Sequence, residues 1–505
     1  MSETGTSKYK YFTGNLALFT ISNFVSKILV FLLVPFYTNV LTTADYGIAD
    51  VMQTTLLLLV PALTVNMGEA ALRFGIDRSE RRAKILRIGV KYVLRACIIV
   101  AAVCVLSCAF VKPDIRWYLF LFIFLFLTNS MYEFLILFFQ GCEKVKIVVC
   151  GSVSSTVVLL IGNIIFLLVI KIGLNGYILS QMLAFLLASV IMLLLGHKFM
   201  PGIVTFADNK DLSKPAALPG EDTEDGKACD TKEDFEKELV AYGVPMIAYS
   251  TGSWINNAAD RYLVSFIKGV AVNGVYGVAY KIPAILTVFQ RIFAQAWQMS
   301  ATKSYEDDNS SEFFSTMYMV YNTFMVTGCS FLILTVRLLA FLMFKKDFYG
   351  AWQYVPPLLI SVVFGALTGF LGSICLAFKD SKAMGFATGL GAAVNIILNI
   401  ILIPRYSAMG AAIATGISYF LMYFIAYIKV SKYVKLEIKL LRDHLSYILL
   451  VFEAFIMITG SSLKMSTAME YISSGVIFLM IVLMNIKEIN SVMRKLFTAM
   501  LKKKN

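Results

Sequence analysis

Four ionisable side chains, Asp260, Arg261, Lys281 and Arg291, lie within two adjacent apolar stretches, residues 238–267 and 273–300. An ionisable group at the centre of a membrane helix costs roughly 2.5–3.5 kcal/mol on insertion scales. A chain that keeps four of them so close together is expected to turn them toward a wet, protein-lined cavity. The spacing agrees. Tyr249, Ser253, Asn256 and Asp260 form one stripe of a helix, and Trp254, Asn257 and Arg261 form the neighbouring stripe. On the next helix Tyr276, Tyr280, Thr287, Arg291, Gln295 and Gln298 share a face, with Pro283 available to bend it. The bland alternative is an ion pair, Asp260 with Arg261 or Lys281, that only joins helices.

Other polar groups in apolar stretches extend this set. Asn23, Ser26 and Lys27 share a face near the start of the chain, and Arg95 and Glu133 lie further on. The buried set then holds five cations, Lys27, Arg95, Arg261, Lys281 and Arg291, against Glu133 and Asp260. A net-cationic wet cavity suits an anionic head group such as a diphosphate. It suits a cationic drug poorly. The competing explanation for Lys27 and Arg95 is snorkelling to the membrane surface. Tyr249, Trp254, Tyr276 and Tyr280, being on polar stripes, are the aromatic residues suited to stacking on sugar rings. Glu453 has no role in this scheme. The eight cysteines include no Cys-x-x-Cys pair, and His197 and His444 are far apart, so neither a metal site nor a disulfide framework is expected. No cofactor is expected either. The chain is not expected to be an enzyme, since neither a paired-carboxylate nor a nucleotide-sugar signature is present.

The elements that position these residues follow from composition. Of 505 residues, 58% are hydrophobic and 15% charged, which excludes a soluble domain. Apolar runs long enough to cross about 30 Å of hydrocarbon recur throughout. The chain is predicted to be an all-α polytopic membrane protein of fourteen spans, at roughly 12–40, 46–72, 85–110, 116–139, 147–170, 175–196, 238–267, 273–300, 313–340, 352–378, 383–403, 408–429, 443–463 and 468–486. The first run is too long for the core of a cleavable signal peptide. With both termini in the cytoplasm, 31 of the 45 Lys and Arg fall in cytoplasmic segments and 8 in outer loops. That asymmetry sets the orientation and removes nucleic acid as an explanation of the +13 charge.

Segment 201–237 is acidic, contains Pro and Gly, and reads as a cytoplasmic linker. It separates two copies of a repeat. Tyr46-Gly47 matches Tyr276-Gly277, Leu127-Thr128 matches Leu367-Thr368, and the stretch from Asn163 to Gly176 matches that from Asn399 to Gly410, at similar offsets. The expected organisation is an N-terminal six-helix lobe (1–200), the linker (201–237), a C-terminal six-helix lobe (238–430) and two appended helices with a basic tail (431–505). Both copies start from the cytoplasmic side, so the repeat is parallel.

The segments NLALFTISNFVSKILVFLLVPFYTNVLTTADYGIADV, DRYLVSF, YGVAYKI and NIILNIILIPRYSAMGAAIATG resemble the Wzx-type polysaccharide flippases of the multidrug/oligosaccharidyl-lipid/polysaccharide (MOP) exporter superfamily. The resemblance covers essentially the whole chain, and the turn Thr43-Ala44-Asp45-Tyr46-Gly47 is its sharpest part. It implies a MATE-like fold of two six-helix lobes in a bacterial cytoplasmic membrane. It implies alternating-access translocation of an undecaprenyl-diphosphate-linked oligosaccharide to the outer leaflet, coupled to a proton or sodium gradient. Membrane lipids and other polysaccharide-assembly membrane proteins are the expected partners. A flippase for the peptidoglycan precursor lipid II and a drug/cation antiporter share the architecture and stand as alternatives. The 201–237 linker is longer than the resemblance implies.

Overall fold

The computed structural model describes residues 33–77, 81–200, 232–304, 310–378, 380–436, 439–460, 462–488 and 490. The regular elements among them are all helical. Most of the expected first span and almost all of the 201–237 linker lie outside the described residues, as do the side chains of Tyr249, Gln295 and Gln298.

The first described helices are α1 (Val34–Val40) and α2 (Thr43–Leu63). The start of α2 is written into Thr-Thr-Ala-Asp. The Thr42 hydroxyl accepts from the Asp45 amide at 3.1 Å and donates to Asp45 Oδ2 at 2.7 Å, while that carboxylate accepts from the Thr42 amide at 3.2 Å. This reciprocal cap satisfies donors that a helix start leaves open. The expected second span is broken: α2 ends at Leu63 and α3 (Met67–Asp77) begins after three intervening residues, Thr64, Val65 and Asn66. Val65 and Asn66 take φ of 54° and 49° at the break, a rare conformation for a β-branched valine. Pro61, inside α2, helps to end it.

There follow α4 (Arg82–Ser107), α5 (Pro113–Gly141), α6 (Val145–Asn163, continued in wider π turns to Val169) and α7 (Gly173–Phe199). After the linker come α8 (Lys232–Lys268), α9 (Val270–Ala279), α10 (Pro283–Ser304), α11 (Ser310–Leu334) and α12 (Val336–Met343). A 3-10 turn at Lys346–Tyr354 leads into α13 (Val355–Ala377), α14 (Ser381–Tyr406) and α15 (Ala408–Val430). The appended pair is α16 (Leu440–Thr459) and α17 (Thr467–Met484).

Among the described residues ten helices are long and apolar enough to cross a membrane, and α9 with α10, bent by 51°, qualify as an eleventh when counted together. The bend falls at Pro283, where the sequence places it. The remaining difference from fourteen has physical causes. The polar stripes of α8 and the charges Arg442, Asp443 and Glu453 of α16 make those helices too hydrophilic to qualify by composition, and span 12–40 is mostly outside the described residues.

The chain divides into two compact units, one within Met52–Thr251 and the other within Phe31–Val51 and Gly252–Asn505. In the first, α6 packs on α7, and α5 packs on α3, α4 and α7. Its core gathers Phe134, Phe138, Phe139 and Met192 with Phe235 and Leu239 of α8. In the second, α13 is central, covered by α10, α11 and α15, and 78% of its apolar window is buried.

The appended helices pack on α11, and their polar residues explain how. Glu453, fully buried on α16, accepts hydrogen bonds from Ser330 of α11 at 2.5 Å and Ser474 of α17 at 2.7 Å. Arg337 of α12 pairs with buried Glu470 of α17 and donates to the Met457 carbonyl of α16. Glu453 is thus a three-helix polar tie, which gives it the structural account that the sequence lacks.

Candidate functional site

Asp260 and Arg261 are neighbours on α8, yet they face different partners. Asp260 is 3% exposed. Its Oδ2 accepts from the hydroxyls of Tyr276 at 2.6 Å, Tyr280 at 2.7 Å and Thr415 of α15 at 3.4 Å. The two tyrosines, one helical turn apart, are themselves 3.0 Å apart at their hydroxyls. Thr415 also accepts from Asn395 of α14, which in turn accepts from Asn399.

Arg261 turns to Asp50 on α2. The guanidinium Nη1 donates to Asp50 Oδ1 at 2.8 Å, and its carbon stands 4.4 Å from the centre of the Tyr280 ring. Asn273 of α9 donates to the other oxygen of Asp50 at 3.2 Å. Arg261 is therefore held by two groups, Asp50 and the Tyr280 ring, and Asn273 fixes Asp50 in turn. Two buried atoms, Arg261 Nε and Asn273 Oδ1, have no partner among the described residues. Buried polar atoms are rarely left so, and they mark where water or a ligand atom would be accepted.

Glycines make this approach possible. A Cβ on Gly274 would lie 1.9 Å from the Thr43 carbonyl oxygen, and one on Gly47 would lie 2.0 Å from that of Val270. A Cβ on Gly277 would lie 2.8 Å from the Asp50 carboxyl carbon. The two repeat-related Tyr-Gly motifs thus face each other, α2 against α9.

The structure brings Asp260, Arg261, Tyr276 and Tyr280 together. Asn256 donates to the Thr388 carbonyl of α14 at 3.4 Å, and Asn257 accepts from the Tyr419 hydroxyl of α15 at 2.7 Å. Lys281 is half-buried at the turn between α9 and α10, and Arg291 is exposed on α10. Asn23 and Lys27 lie outside the described residues.

Two expectations need correction. Arg261 is not an open cation, because Asp50 neutralises it, and with Asp260 the cluster holds two carboxylates to one guanidinium. Arg95 belongs elsewhere: its side chain is 54% exposed and 3.7 Å from Glu236, which also pairs with Lys91 at 2.7 Å. The hydrogen bond from Lys91 holds the Glu236 carboxyl below its usual range, although burial works the other way. Asp50 was missed in the sequence. It is the sole acid of α2 beyond the first turn, and the repeat offset puts it opposite Tyr280.

Glu133 lies in the first unit, on a cleft of about 490 Å³ lined also by Gln53, Asn66, Glu69, Asn129 and Ser130.

Residues 12–298 match the family model described as Polysaccharide biosynthesis protein. The chain belongs to this family. With this family and, among the described residues, ten helices long and apolar enough to cross a membrane, it is a multi-pass membrane protein. This polysaccharide biosynthesis protein is 23% identical over 276 residues to the uncharacterized membrane protein MJ1375 of Methanocaldococcus jannaschii, covering 54% of its own chain and 62% of that relative. The chain thus spans about 62% of the length of that curated relative. Its structure is similar to that of lipid II flippase MurJ in an inward closed conformation, at a TM-score of 0.64 and 16% identity, covering 95% of this chain and 100% of that one. It is also similar to an inward-facing multidrug resistance MATE family transporter of the MOP superfamily, at 0.61 and 12%, covering 80% and 95%. At these identities the likeness is one of fold.

The close approach of α2 and α9 gives a test. Gly274→Val meets a backbone oxygen that cannot move without moving α2, and overpacking of this kind costs about 1–3 kcal/mol or more. It should lower the thermal midpoint of the purified protein by several degrees or prevent its recovery from the membrane. Gly385→Ala, where a Cβ meets nothing within 4 Å, should not. Equal midpoints for the two variants would contradict the glycine argument.

Proposed function

We propose that this protein translocates an undecaprenyl-diphosphate-linked oligosaccharide from the cytoplasmic to the outer leaflet of the bacterial cytoplasmic membrane by alternating access. The observation that carries the reading is the match of residues 12–298 to the polysaccharide biosynthesis family. The site gives it physical content. A guanidinium with one unpartnered N–H, an amide with an unpartnered oxygen, and tyrosine hydroxyls converge inside otherwise apolar helices. Such groups are costly in a membrane and serve polar cargo. Arg261 meets a phosphate only by sharing or leaving Asp50, so binding is linked to a change of partner. A ligand drives a conformational change only through such differential affinity. A proton or sodium gradient supplies the direction, and no cofactor takes part. The lipid carrier, membrane lipids and other polysaccharide-assembly membrane proteins are the partners.

The test is transfer between leaflets. In proteoliposomes loaded with undecaprenyl-diphosphate-linked oligosaccharide, the glycan should become accessible to an impermeant lectin across the bilayer, chemically unchanged. Unchanged accessibility, or cleavage of the glycan, would contradict the proposal. Because the fold is shared with lipid II flippase MurJ, the same assay with lipid II decides the second reading: faster transfer of lipid II would favour it.

Both termini and the 201–237 segment are proposed to be cytoplasmic, on the Lys and Arg asymmetry. In a cysteine-depleted background, Ser213→Cys in intact cells should resist an impermeant thiol reagent. Labelling there would reverse the orientation.

A further inference from the structure

Asp260 and Arg261 are consecutive in sequence, and one side chain touches both. The Tyr280 hydroxyl donates to Asp260 Oδ2 at 2.7 Å, and the Arg261 guanidinium carbon stands 4.4 Å from the centre of the Tyr280 ring. The phenol thus meets an anion with its O–H and a cation with its π face. A ring quadrupole attracts a cation placed over that face. A hydrogen bond to an ionised acceptor is roughly twice as strong as one between neutral groups. Both contacts belong to one rigid ring, so a change at either is felt at the other.

Other routes between the two charges carry less. The Arg261 backbone amide donates to Asp260 Oδ1 at 2.9 Å, but the helix holds that amide wherever the guanidinium lies. Tyr276 also donates to Asp260 Oδ2, at 2.6 Å. Its ring, however, is fully buried and packs edge-on against Tyr280 at 5.3 Å and Tyr354 at 6.0 Å. Tyr280 is only half-buried, and it stands where the backbone changes direction. It follows Ala279, the last residue of α9, and the span bends by 51° before α10 starts at Pro283. Through the bend the Lys281 amide closes on the Val278 carbonyl and the Ile285 amide on that of Ile282, three residues back instead of four.

On its far side Arg261 donates to Asp50, which Asn273 braces. The order Asp260, Tyr280, Arg261, Asp50 is therefore acid, phenol, cation, acid. With Asp260 ionised, the phenol is drawn onto it and the ring is held over the guanidinium, which keeps Nη1 on Asp50. When Asp260 loses its charge, to a proton or to a bound cation, the phenol is held about half as strongly. The ring then relaxes its hold on the guanidinium, and an incoming anion competes with Asp50 on better terms.

We propose that Tyr280 is a positioning residue that makes anion binding at Arg261 depend on the charge of Asp260. The proposal rests on the reading of Arg261 as a contact of the diphosphate. It adds a physical connection between that contact and the gradient that gives transport its direction. The ionisable groups about the pair are Asp50 and Tyr46 of α2, Tyr276 and Tyr280 of α9, and Tyr419 of α15.

The experiment uses the full-length protein in nanodiscs with inorganic diphosphate as the probe. Affinity is measured at one pH and ionic strength for wild type, Tyr280→Phe and Tyr276→Phe, each with and without Asp260→Asn, and each confirmed as monodisperse. Tyr280→Phe keeps the ring and removes the O–H. Asp260→Asn should tighten diphosphate binding about tenfold in the wild-type and Tyr276→Phe backgrounds, and by about threefold or less in the Tyr280→Phe background. A merely structural tyrosine would shift the affinities and leave that ratio as it was. Equal ratios in all backgrounds, or no effect of Asp260→Asn in wild type, would overturn the proposal. A second readout keeps the phenol. With 3-fluorotyrosine in place of Tyr280, the fluorine resonance should move when diphosphate is added. A resonance that stays in place at saturating diphosphate would overturn the proposal even where a variant fails to fold. Diphosphate binding that is equal in wild type and Arg261→Gln would overturn both this proposal and the place of Arg261 in holding cargo. Leaflet transfer by the same wild-type preparation is scored separately. Transfer with equal ratios would refute the role of Tyr280 alone, whereas the expected ratios without transfer would refute the flippase reading alone.

Discussion

A guanidinium inside an apolar helix is the constraint from which the arrangement of the second unit follows. Arg261 cannot be left to hydrocarbon. Asp50 meets it at 2.8 Å, Tyr280 covers its face, and Asn273 braces Asp50 from the far side. For Asp50 to reach it, α2 must come against α9 closely enough that Gly47, Gly274 and Gly277 have no room for a Cβ. Asp260, one residue from Arg261, then takes the hydroxyls of Tyr276 and Tyr280. The repeated Tyr-Gly motif, the helix cap at Thr42 and the polar stripe on α8 are parts of one arrangement. A buried ion pair of this kind adds little net stability, because desolvation offsets the attraction. What it fixes here is the register of α2 against α9, through Asp50, Arg261 and Asn273.

Positive charge alone, the property first suggested by the buried Lys and Arg, does not describe the polar cluster of the second unit, where Asp50 and Asp260 accompany Arg261.

Much of this was legible in the sequence. The 3.6-residue periodicity of polar groups placed Tyr276 and Tyr280 on one face and Asp260 on a polar stripe of the preceding helix, but it did not pair the two faces. Pro283 announced the bend, whereas the helix cap at Thr42 and Asp45 emerged only in the structure. Asp50 was not found, because a single acid near a span end is indistinguishable from an interfacial residue until its partner is known. Arg95 was misplaced for the same reason: its mate, Glu236, sits at the far side of the linker. Depth along a helix is local information, whereas the choice of partner is set by tertiary packing. The break at Val65 had no signal beyond Pro61, since valine gives no local reason for a left-handed conformation.

The most direct measurement is a double-mutant cycle on Asp50 and Arg261, read as thermal midpoints of the purified protein. Asp50→Asn and Arg261→Gln each leave a buried charge unpaired, a loss of about 3–5 kcal/mol when one partner is removed. The double variant removes both charges of this pair and leaves Asp260 with its tyrosine partners. The account predicts that the double variant is more stable than at least one single variant and far from additive. Additive losses from the two substitutions would show that Asp50 and Arg261 do not hold each other, and the arrangement built on them would fall.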